Sequence, residues 1–388
     1  MKLGRRRMIL CAMGTVVVYL LSVASAGGQS GQDQKPLMAE DAFKNVQLLR
    51  GITVSQFMAT MGFFSAALNA NCTFCHGMES GGSWARYADD TPRKQTARRM
   101  ILMMATINQT NFAGRRMVTC YTCHRGSELP KVTPKLDELY GAPVLEEPDE
   151  ILQQAPGAPS ADQLLDKYIQ AIGGPQRVAT LTSFVAKGMY QGYDDPDKRA
   201  AELYAKAPGQ RTTIVHTPGG DTSTVYDGRS GWVTAPDTIT PVPVIPLTGG
   251  DLDGAKVDAD LCFPAGTKQS LSEWRVGFPT TINGRDVQVV QGTSAWGSSV
   301  KLYFDKQSDL LVRQVRYTNV PVGRVPTQVD YADYRDVSGV KMPFRWTVTW
   351  VDGRSTFELS DVKPNAQIDA AKFAKPTPPP PLTKAATP

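Results

Sequence analysis

The chain of 388 residues carries 42 Lys and Arg against 37 Asp and Glu, with three His and six Cys. This length is enough for two ordinary domains. The small excess of basic charge argues against a nucleic-acid-binding protein, for which we would expect a strongly basic surface. We therefore expect no nucleic-acid partner.

The N-terminus has the three parts of a secretory signal peptide. Lys2 and three arginines precede a mostly apolar run over 8–23, and the small residues Ala24 to Ala26 follow. The apolar run is shorter than the roughly 20 residues that a membrane-spanning helix needs. We predict a cleaved signal peptide over 1–26 and an exported, periplasmic protein. An uncleaved membrane anchor is the alternative.

Residues 27–39 are rich in Gly, Gln and Ser and are predicted to be a disordered lead-in. A helix is then predicted from Thr53 to Leu68, with Asn69 at its end and with Met58 and Met61 one turn apart.

A second helix is predicted from Thr91, which is a good N-cap residue, and Pro92 favours the first helical position. The apolar pattern carries this helix to about Asn108.

Two pentapeptides are the most informative part of the sequence: Cys72-Thr-Phe-Cys75-His76 and Cys120-Tyr-Thr-Cys123-His124. C-x-x-C-H is the attachment signature of c-type haem, in which two cysteines form thioether bonds and the histidine ligates the iron. The motifs use four of the six cysteines and two of the three histidines. They predict two covalently attached haem c groups, with His76 and His124 as iron ligands.

Two other interpretations of the cysteines are weaker. A zinc ribbon formed from both C-x-x-C pairs would leave the two following histidines unexplained. Two C-x-x-C disulfides would be typical of redox-active sites rather than of structural bridges. Cys262 is predicted to be a free, buried thiol.

The second axial ligand decides the chemistry of each iron. A His/Met pair leaves no open position and suits electron transfer, whereas an open position permits ligand binding. His216 is the only histidine outside the motifs, and it is predicted to be a surface residue. Methionines are abundant near the motifs, although methionine more often fills gaps in a core: Met58, Met61, Met78, Met100, Met103, Met104 and Met117.

Residues 40–126 resemble the cytochrome subunit of photosynthetic reaction centres, specifically one two-haem half of that four-haem protein. The resemblance rests on the text from Phe43 to Leu49, Phe57 to Met61, both C-x-x-C-H motifs, Ala97 to Met103 and the ending Cys123-His124-Arg125-Gly126.

In that family a methionine on the helix before each motif is typically the sixth ligand. The resemblance therefore implies Met61 for the first haem and Met100 for the second, with Met58 and Met103 as fallbacks. This chain departs from the family by having one half only. It also lacks the histidine that precedes the second motif in the family and reaches a haem of the other half.

Residues 127–159 are rich in Pro, Glu and Gly and are predicted to be a linker or a wrapping segment. A second domain is predicted over 160–375. It begins with one amphipathic helix from Ser160 that stops at Gly173-Gly174-Pro175.

Short strands follow, with predicted turns at Asp227-Gly228, Asn283-Gly284, Asp305-Lys306 and Asp352-Gly353. The pattern weakly resembles the periplasmic lipoprotein carriers, which are open β-barrels with a helix. That resemblance implies a cavity for an apolar ligand, or a face filled by its own side chains. The Pro-rich tail, 376–388, is predicted to be disordered.

The predicted fold class is therefore α+β multidomain, a small α-helical dihaem domain over 40–126 followed by an antiparallel half-barrel. No catalytic motif is present, so an electron-transfer protein is favoured over an enzyme. Its electron donor and acceptor would be periplasmic or membrane-bound. The alternatives are a dihaem peroxidase-like enzyme or haem sensor with an open iron, or a lipid- or quinone-binding β domain with the haems as accessory input.

Overall fold

A computed structural model of the chain describes residues 35–378, apart from residues 78–82, 137–138, 140, 142–150, 194, 237–238 and 296. The predicted signal peptide, most of the predicted lead-in and the tail from residue 379 lie outside the described residues. The described residues from Pro36 onward form one compact unit.

Helices occupy the first part of the described chain and also interrupt the strands of the second part. They are α1 Ala39–Ala42, α2 Val54–Leu68, α3 Cys72–His76, α4 Pro92–Phe112, α5 Cys120–His124, α6 Ala161–Ala171, α7 Pro175–Thr180, α8 Gly249–Asp260 and α9 Thr267–Ser270. Short 3₁₀ helices lie at Trp84–Ala88, Pro264–Gly266 and Ala370–Phe373.

The second part is dominated by strands. They are β1 Ser183–Gly192, β2 Arg199–Lys206, β3 Gln210–Thr217, β4 Gly220–Tyr226, β5 Gly231–Thr234, β6 Val244–Pro246, β7 Ser272–Val276, β8 Thr280–Ile282, β9 Arg285–Thr293, β10 Ser299–Asp305, β11 Leu311–Val320, β12 Gly323–Val337, β13 Val340–Trp350 and β14 Gly353–Pro364. This arrangement confirms the predicted α+β class.

Local sequence signals explain where the helices begin and end. The Thr53 hydroxyl accepts a hydrogen bond from Gln56 N, and the Gln56 side chain accepts one from the Thr53 backbone N–H. At the other end, Asn69 terminates α2 in the left-handed conformation. Thr91 caps α4 and Pro92 is its first residue, as predicted. The helix continues to Phe112, about one turn beyond the predicted end.

The strands form one antiparallel sheet among the described residues, in the order β6-β5-β4-β3-β2-β1-β14-β13-β12-β11-β10-β9-β7. β1 joins the two runs because it pairs with both β2 and β14. β8 pairs with β9 across a turn in which Asn283 and Gly284 both have positive φ, 50° and 77°. That turn and the other three predicted turns all fall between consecutive strands.

The main hydrophobic core lies between one face of the sheet and helices α6, α7 and α8. Leu165 of α6, Val178 of α7 and Val257 of α8 are buried against strand residues that include Phe184 and Leu302. The sequence predicted one helix in this part, and the structure adds α7, α8 and α9. Side chains of the helices and strands pack this face.

Two segments outside the strands are also paired. Residues 37–39, which the sequence assigns to the lead-in, bond to residues 52–54: Ala39 N donates to Ile52 O at 2.9 Å, and Val54 N donates to Leu37 O at 2.9 Å. Residues 151–155 run along β7 and β9, where Ala155 N donates to Val276 O at 2.8 Å. Within the part of the chain that the structure describes, no helix is long and apolar enough to cross a membrane.

Candidate functional site

Each C-x-x-C-H motif folds as one short helix with a polar cap. Asn71 Oδ1 accepts from Phe74 N at 3.2 Å before α3, and Thr119 Oγ1 accepts from Thr122 N at 3.3 Å before α5. In a helix, residues three and four positions apart share a face. The first cysteine of each motif therefore lies on the same side as its second cysteine and its histidine.

The four motif cysteines differ in exposure. Cys72 and Cys123 are exposed, whereas Cys75 and Cys120 are half-buried. Burial raises the pKa of the Cys75 thiol, and it raises the pKa of Cys120 to about 11. Burial thus favours the neutral thiol form of Cys75 and Cys120.

Both motif histidines have one ring nitrogen held by a backbone carbonyl. His76 Nδ1 lies 2.9 Å from Tyr87 O, and His124 Nδ1 lies 3.0 Å from Ser127 O. A carbonyl oxygen can only accept, so Nδ1 is the donor in both bonds, and Nε2 is the acceptor nitrogen of the corresponding neutral tautomer. Nε2 is the atom that an iron ligand must present, and such a second bond fixes the ring orientation of ligating histidines.

The surroundings of His76 favour its neutral form. Burial lowers its pKa, although the bond to Tyr87 O acts in the opposite direction. The Tyr87 ring stacks on the imidazole with centroids 4.4 Å apart and planes 18° apart. The donor set of two cysteine sulfurs and one imidazole per helix fits covalently attached haem c. Among the described residues, no group of three or more His, Cys, Asp or Glu side chains lies close enough to hold a metal ion alone.

The helices of the two motifs are interlocked. α2 contacts α5, and α3 contacts α4, so each long helix packs on the motif of the other half. Gly126 N donates to Ala67 O at 3.0 Å, which ties the end of the second motif to α2. A cleft of about 570 Å³ is lined by residues 68–71, Phe74, 126–128 and Lys131, which flank both motifs.

The start of α4 holds the first motif in place. Thr91 Oγ1 donates to Cys75 O at 2.6 Å. The Arg93 guanidinium lies 3.8 Å from the centroid of the Phe74 ring and donates to Phe74 O at 3.2 Å. Lys94 Nζ donates to Tyr87 O at 2.9 Å, so the carbonyl that holds His76 is itself fixed.

The methionines near the motifs have three kinds of surroundings. Met58 and Met61 are half-buried on α2. Met104 is 7% exposed and packs in a hydrophobic cluster, as a gap-filling methionine should. Met100 and Met103 are 38% and 48% exposed on α4. The assignment of Met61 and Met100 as axial ligands stays a prediction.

Asn108 has a structural role that the sequence did not reveal. Its side chain is buried, its Nδ2 donates to Val118 O at 2.7 Å, and its Oδ1 accepts from Met117 N and Val118 N at 3.0 and 2.9 Å. This one amide fixes the segment that leads into the second motif. Only its position near the end of α4 could have indicated it.

The remaining histidine and cysteine lie in the sheet region. His216, on β3, is partly exposed, and its Nδ1 lies 2.8 Å from Asp221 Oδ1. Cys262 is a half-buried free thiol whose Sγ lies 3.2 Å from Asp258 O.

Solved structures similar to this chain match its second part. A DUF1329 family protein from Desulfovibrio piger has a TM-score of 0.40 at 13% identity, covering 56% of this chain and 98% of that one. A LolA superfamily protein from Nitrosomonas europaea has a TM-score of 0.38 at 18% identity, covering 56% and 99%. Likeness at this level carries no inference about a ligand.

The haem-motif region has its own relatives. A photosynthetic reaction center cytochrome c subunit from Thermochromatium tepidum is 35% identical over 97 residues, which are 24% of this chain and 23% of the relative. The corresponding subunit from Roseobacter denitrificans is 32% identical over 136 residues, 32% of this chain and 36% of the relative.

The matched segment thus spans about a quarter to a third of those relatives. Residues 22–139 match the family described as photosynthetic reaction centre cytochrome C subunit. Over this segment, which holds both C-x-x-C-H helices, the chain is similar to the cytochrome c subunits of photosynthetic reaction centres.

Proposed function

We propose that the chain is a c-type cytochrome that carries two covalent haem groups, one on each motif helix, and passes electrons between redox partners. The observation that carries this proposal is the pair of motif histidines whose Nδ1 atoms are both held by backbone carbonyls. This arrangement leaves two Nε2 atoms oriented as ligands.

Haem iron supplies a one-electron couple, and the chain controls its environment. Met61 and Met100 would close the second axial positions, which raises the reduction potential and excludes exogenous ligands. The exposure of Cys72 and Cys123 supports the approach of a partner to one attachment point of each proposed haem. The contacts of α2 with α5 and of α3 with α4 bring the two motifs into one packed group, which supports transfer between the haems.

The cellular setting is part of the proposal. Haem c is attached outside the cytoplasm, which agrees with the predicted signal peptide over 1–26. The donor and acceptor would be periplasmic or membrane-bound redox proteins, by analogy with the relatives of residues 22–139.

Haem content tests this proposal directly. The mass of the purified, exported protein should exceed that of the processed chain by two haem groups. The double variant Cys72→Ala/Cys75→Ala should retain one haem, and the matched variant Cys120→Ala/Cys123→Ala should also retain one. Wild-type protein without covalent haem would contradict the proposal.

The alternative of an apolar ligand in the sheet region has its own test. Because the helix-covered face is packed with side chains such as Phe304 and Trp346, we expect the sheet to act as a platform. Organic extraction of the purified protein should then release no lipid or quinone in stoichiometric amount. A stoichiometric extract would favour the carrier interpretation.

A further inference from the structure

Helix α2, which carries Met58 and Met61, is packed directly against the sheet. Phe63 is buried against Val320, Val322 and Val325, which form the end of β11, the β11–β12 turn and the start of β12. We call residues 320–325 the docking hairpin. A Cβ atom added to Gly323 would lie 2.4 Å from two carbons of the Phe63 ring, so the contact leaves no free space.

The N-terminus of α2 is fixed by hydrogen bonds to the start of α8. Ser55 Oγ donates to Asp251 Oδ2, and the Thr53 and Thr248 hydroxyl oxygens lie 2.7 Å apart. Asp251 Oδ1 accepts from Thr318 Oγ1 at 2.9 Å, so the same carboxylate also holds β11. One partly buried side chain thus joins α2, α8 and the strand that leads into the docking hairpin.

The predicted ligand lies on another side of α2. At about 100° per residue, Met61 is rotated roughly 160° from Phe63 and 120° from Ser55. The docked face and the methionine face are therefore separate. Any displacement of α2 relative to the sheet would move Met61 while the first motif stays held by α4 through Thr91 and Arg93.

We infer that the docking hairpin and Asp251 are positioning elements for the first haem, because they hold α2 where Met61 can ligate that iron. This inference rests on the proposed function. It gives the sheet a role in setting one reduction potential, without a ligand of its own. A site is only as precise as the residues that support it, and a displacement of about 1 Å is enough to weaken it.

A steric wedge in the docking hairpin tests the inference. Gly323→Ala should push the Phe63 ring and α2 away from the sheet in the holoprotein. The expected result is a lowered potential of the first haem and a weaker methionine-to-iron absorption band, with the second haem unchanged. Adding Phe63→Leu, which makes room for the new methyl group, should restore both signals.

A second pair of variants tests the same inference without relying on Gly323→Ala. Asp251→Asn changes the carboxylate that joins α2 to α8. Asp258→Asn changes a carboxylate on the same helix that binds Arg316 of β11 at 3.0 and 3.2 Å and does not contact α2. Both variants should lose stability. Only Asp251→Asn should shift the first potential and speed amide hydrogen exchange in α2.

The outcomes separate this inference from the proposed function. Met61→His identifies the wave of the first haem; if it moves neither potential, the proposed ligation is wrong and the inference falls with it. If Met61→His moves one potential while Gly323→Ala and Asp251→Asn move none, the inference alone is wrong. Equal shifts in Asp251→Asn and Asp258→Asn would also overturn it.

Discussion

His76 and His124 each have their own backbone-carbonyl partner at Nδ1, but their surroundings differ. His76 is stacked on Tyr87, and its carbonyl partner is also bound by Lys94. His124 is followed by Arg125, which closes the short helix α5 in the left-handed conformation at φ 48°. The His76 imidazole is thus held by the stacked Tyr87 ring and by a carbonyl that Lys94 also binds. The His124 imidazole is held by the turn that follows α5.

Replacing the predicted axial methionines should change one potential at a time. Met61→His should lower the potential of the first haem and Met100→His that of the second, because a bis-His iron has a lower potential than a His/Met iron. Each haem should remain six-coordinate. Potentiometric titration with optical detection measures this, and Met117→His, at an exposed position, is the control. Unchanged potentials in both variants would rule out these ligands.

Asn108 should matter for stability more than for the potentials. Asn108→Ala removes one donor and one shared acceptor from the segment at Met117 and Val118, so we expect a loss of about 2–4 kcal/mol in the free energy of unfolding. Asn111→Ala is the matched control, since Asn111 is exposed and bonds within its own helix; it should cost less than about 0.5 kcal/mol. Denaturant titration compares them. Similar losses in both variants would contradict the role of Asn108.

At the scale of elements, the helices with strong local signals were predicted well and those without them were missed. Thr53, Thr91 and Ser160 cap their helices as expected, because capping depends only on neighbouring residues. Helix α8 was missed, since Gly249-Gly250 resembles a turn and its buried positions include small and acidic residues such as Asp253. Its stability comes from packing on β3, β4 and β11, which no local pattern reveals.

In the candidate site, too, the features with local sequence signals were predicted and those that depend on tertiary contacts were not. The motif residues and their haem chemistry follow from the sequence, whereas the carbonyl partners of His76 and His124 depend on how separate turns meet. The contact between α2 and the docking hairpin joins residues about 260 positions apart, so neither periodicity nor spacing could indicate it.

The buried carboxylate at the start of α8 predicts a pH dependence. Burial raises the pKa of Asp251 above its ordinary value of 3.8, although the hydroxyls of Ser55 and Thr318 act against this. The folded protein therefore holds this proton more tightly than the unfolded chain, and stability should fall as pH rises from about 3.8 to the raised pKa.

Asp251→Asn should remove that part of the pH dependence, measured as the free energy of unfolding at several pH values. Glu358→Gln is a control of opposite sign, because its bond to Lys198 lowers the pKa of Glu358 and its contribution is lost as pH falls. A pH profile of Asp251→Asn that is parallel to the wild type would contradict the prediction.

The described residues of the whole molecule form one large core and three small clusters, one of which the haem-motif region shares with the docking hairpin. The main core has 26 buried residues, all within the sheet and helices α6 to α8 or the chain near them. Among the described residues, the haem-motif region contributes three buried side chains, Phe63, Ala67 and Met104, to the cluster that it shares with the docking hairpin. Two porphyrins would supply the apolar surface that this region lacks.

The order of the haem-motif region should therefore depend on haem. In a variant with all four motif cysteines replaced by serine, limited proteolysis should cut within residues 36–131 while the 151–378 part resists. The holoprotein should resist throughout. Cleavage of the sheet at an equal rate, or resistance of residues 36–131 without haem, would contradict this view.

The most direct test of the central claim is an optical redox titration of the holoprotein, followed by addition of carbon monoxide to the fully reduced form. Two one-electron waves at comparatively high potential, with no binding of carbon monoxide, are the predicted result for two closed His/Met irons. A single wave of one haem, or carbon monoxide bound at either iron, would contradict a dihaem electron carrier and favour an enzyme or a sensor.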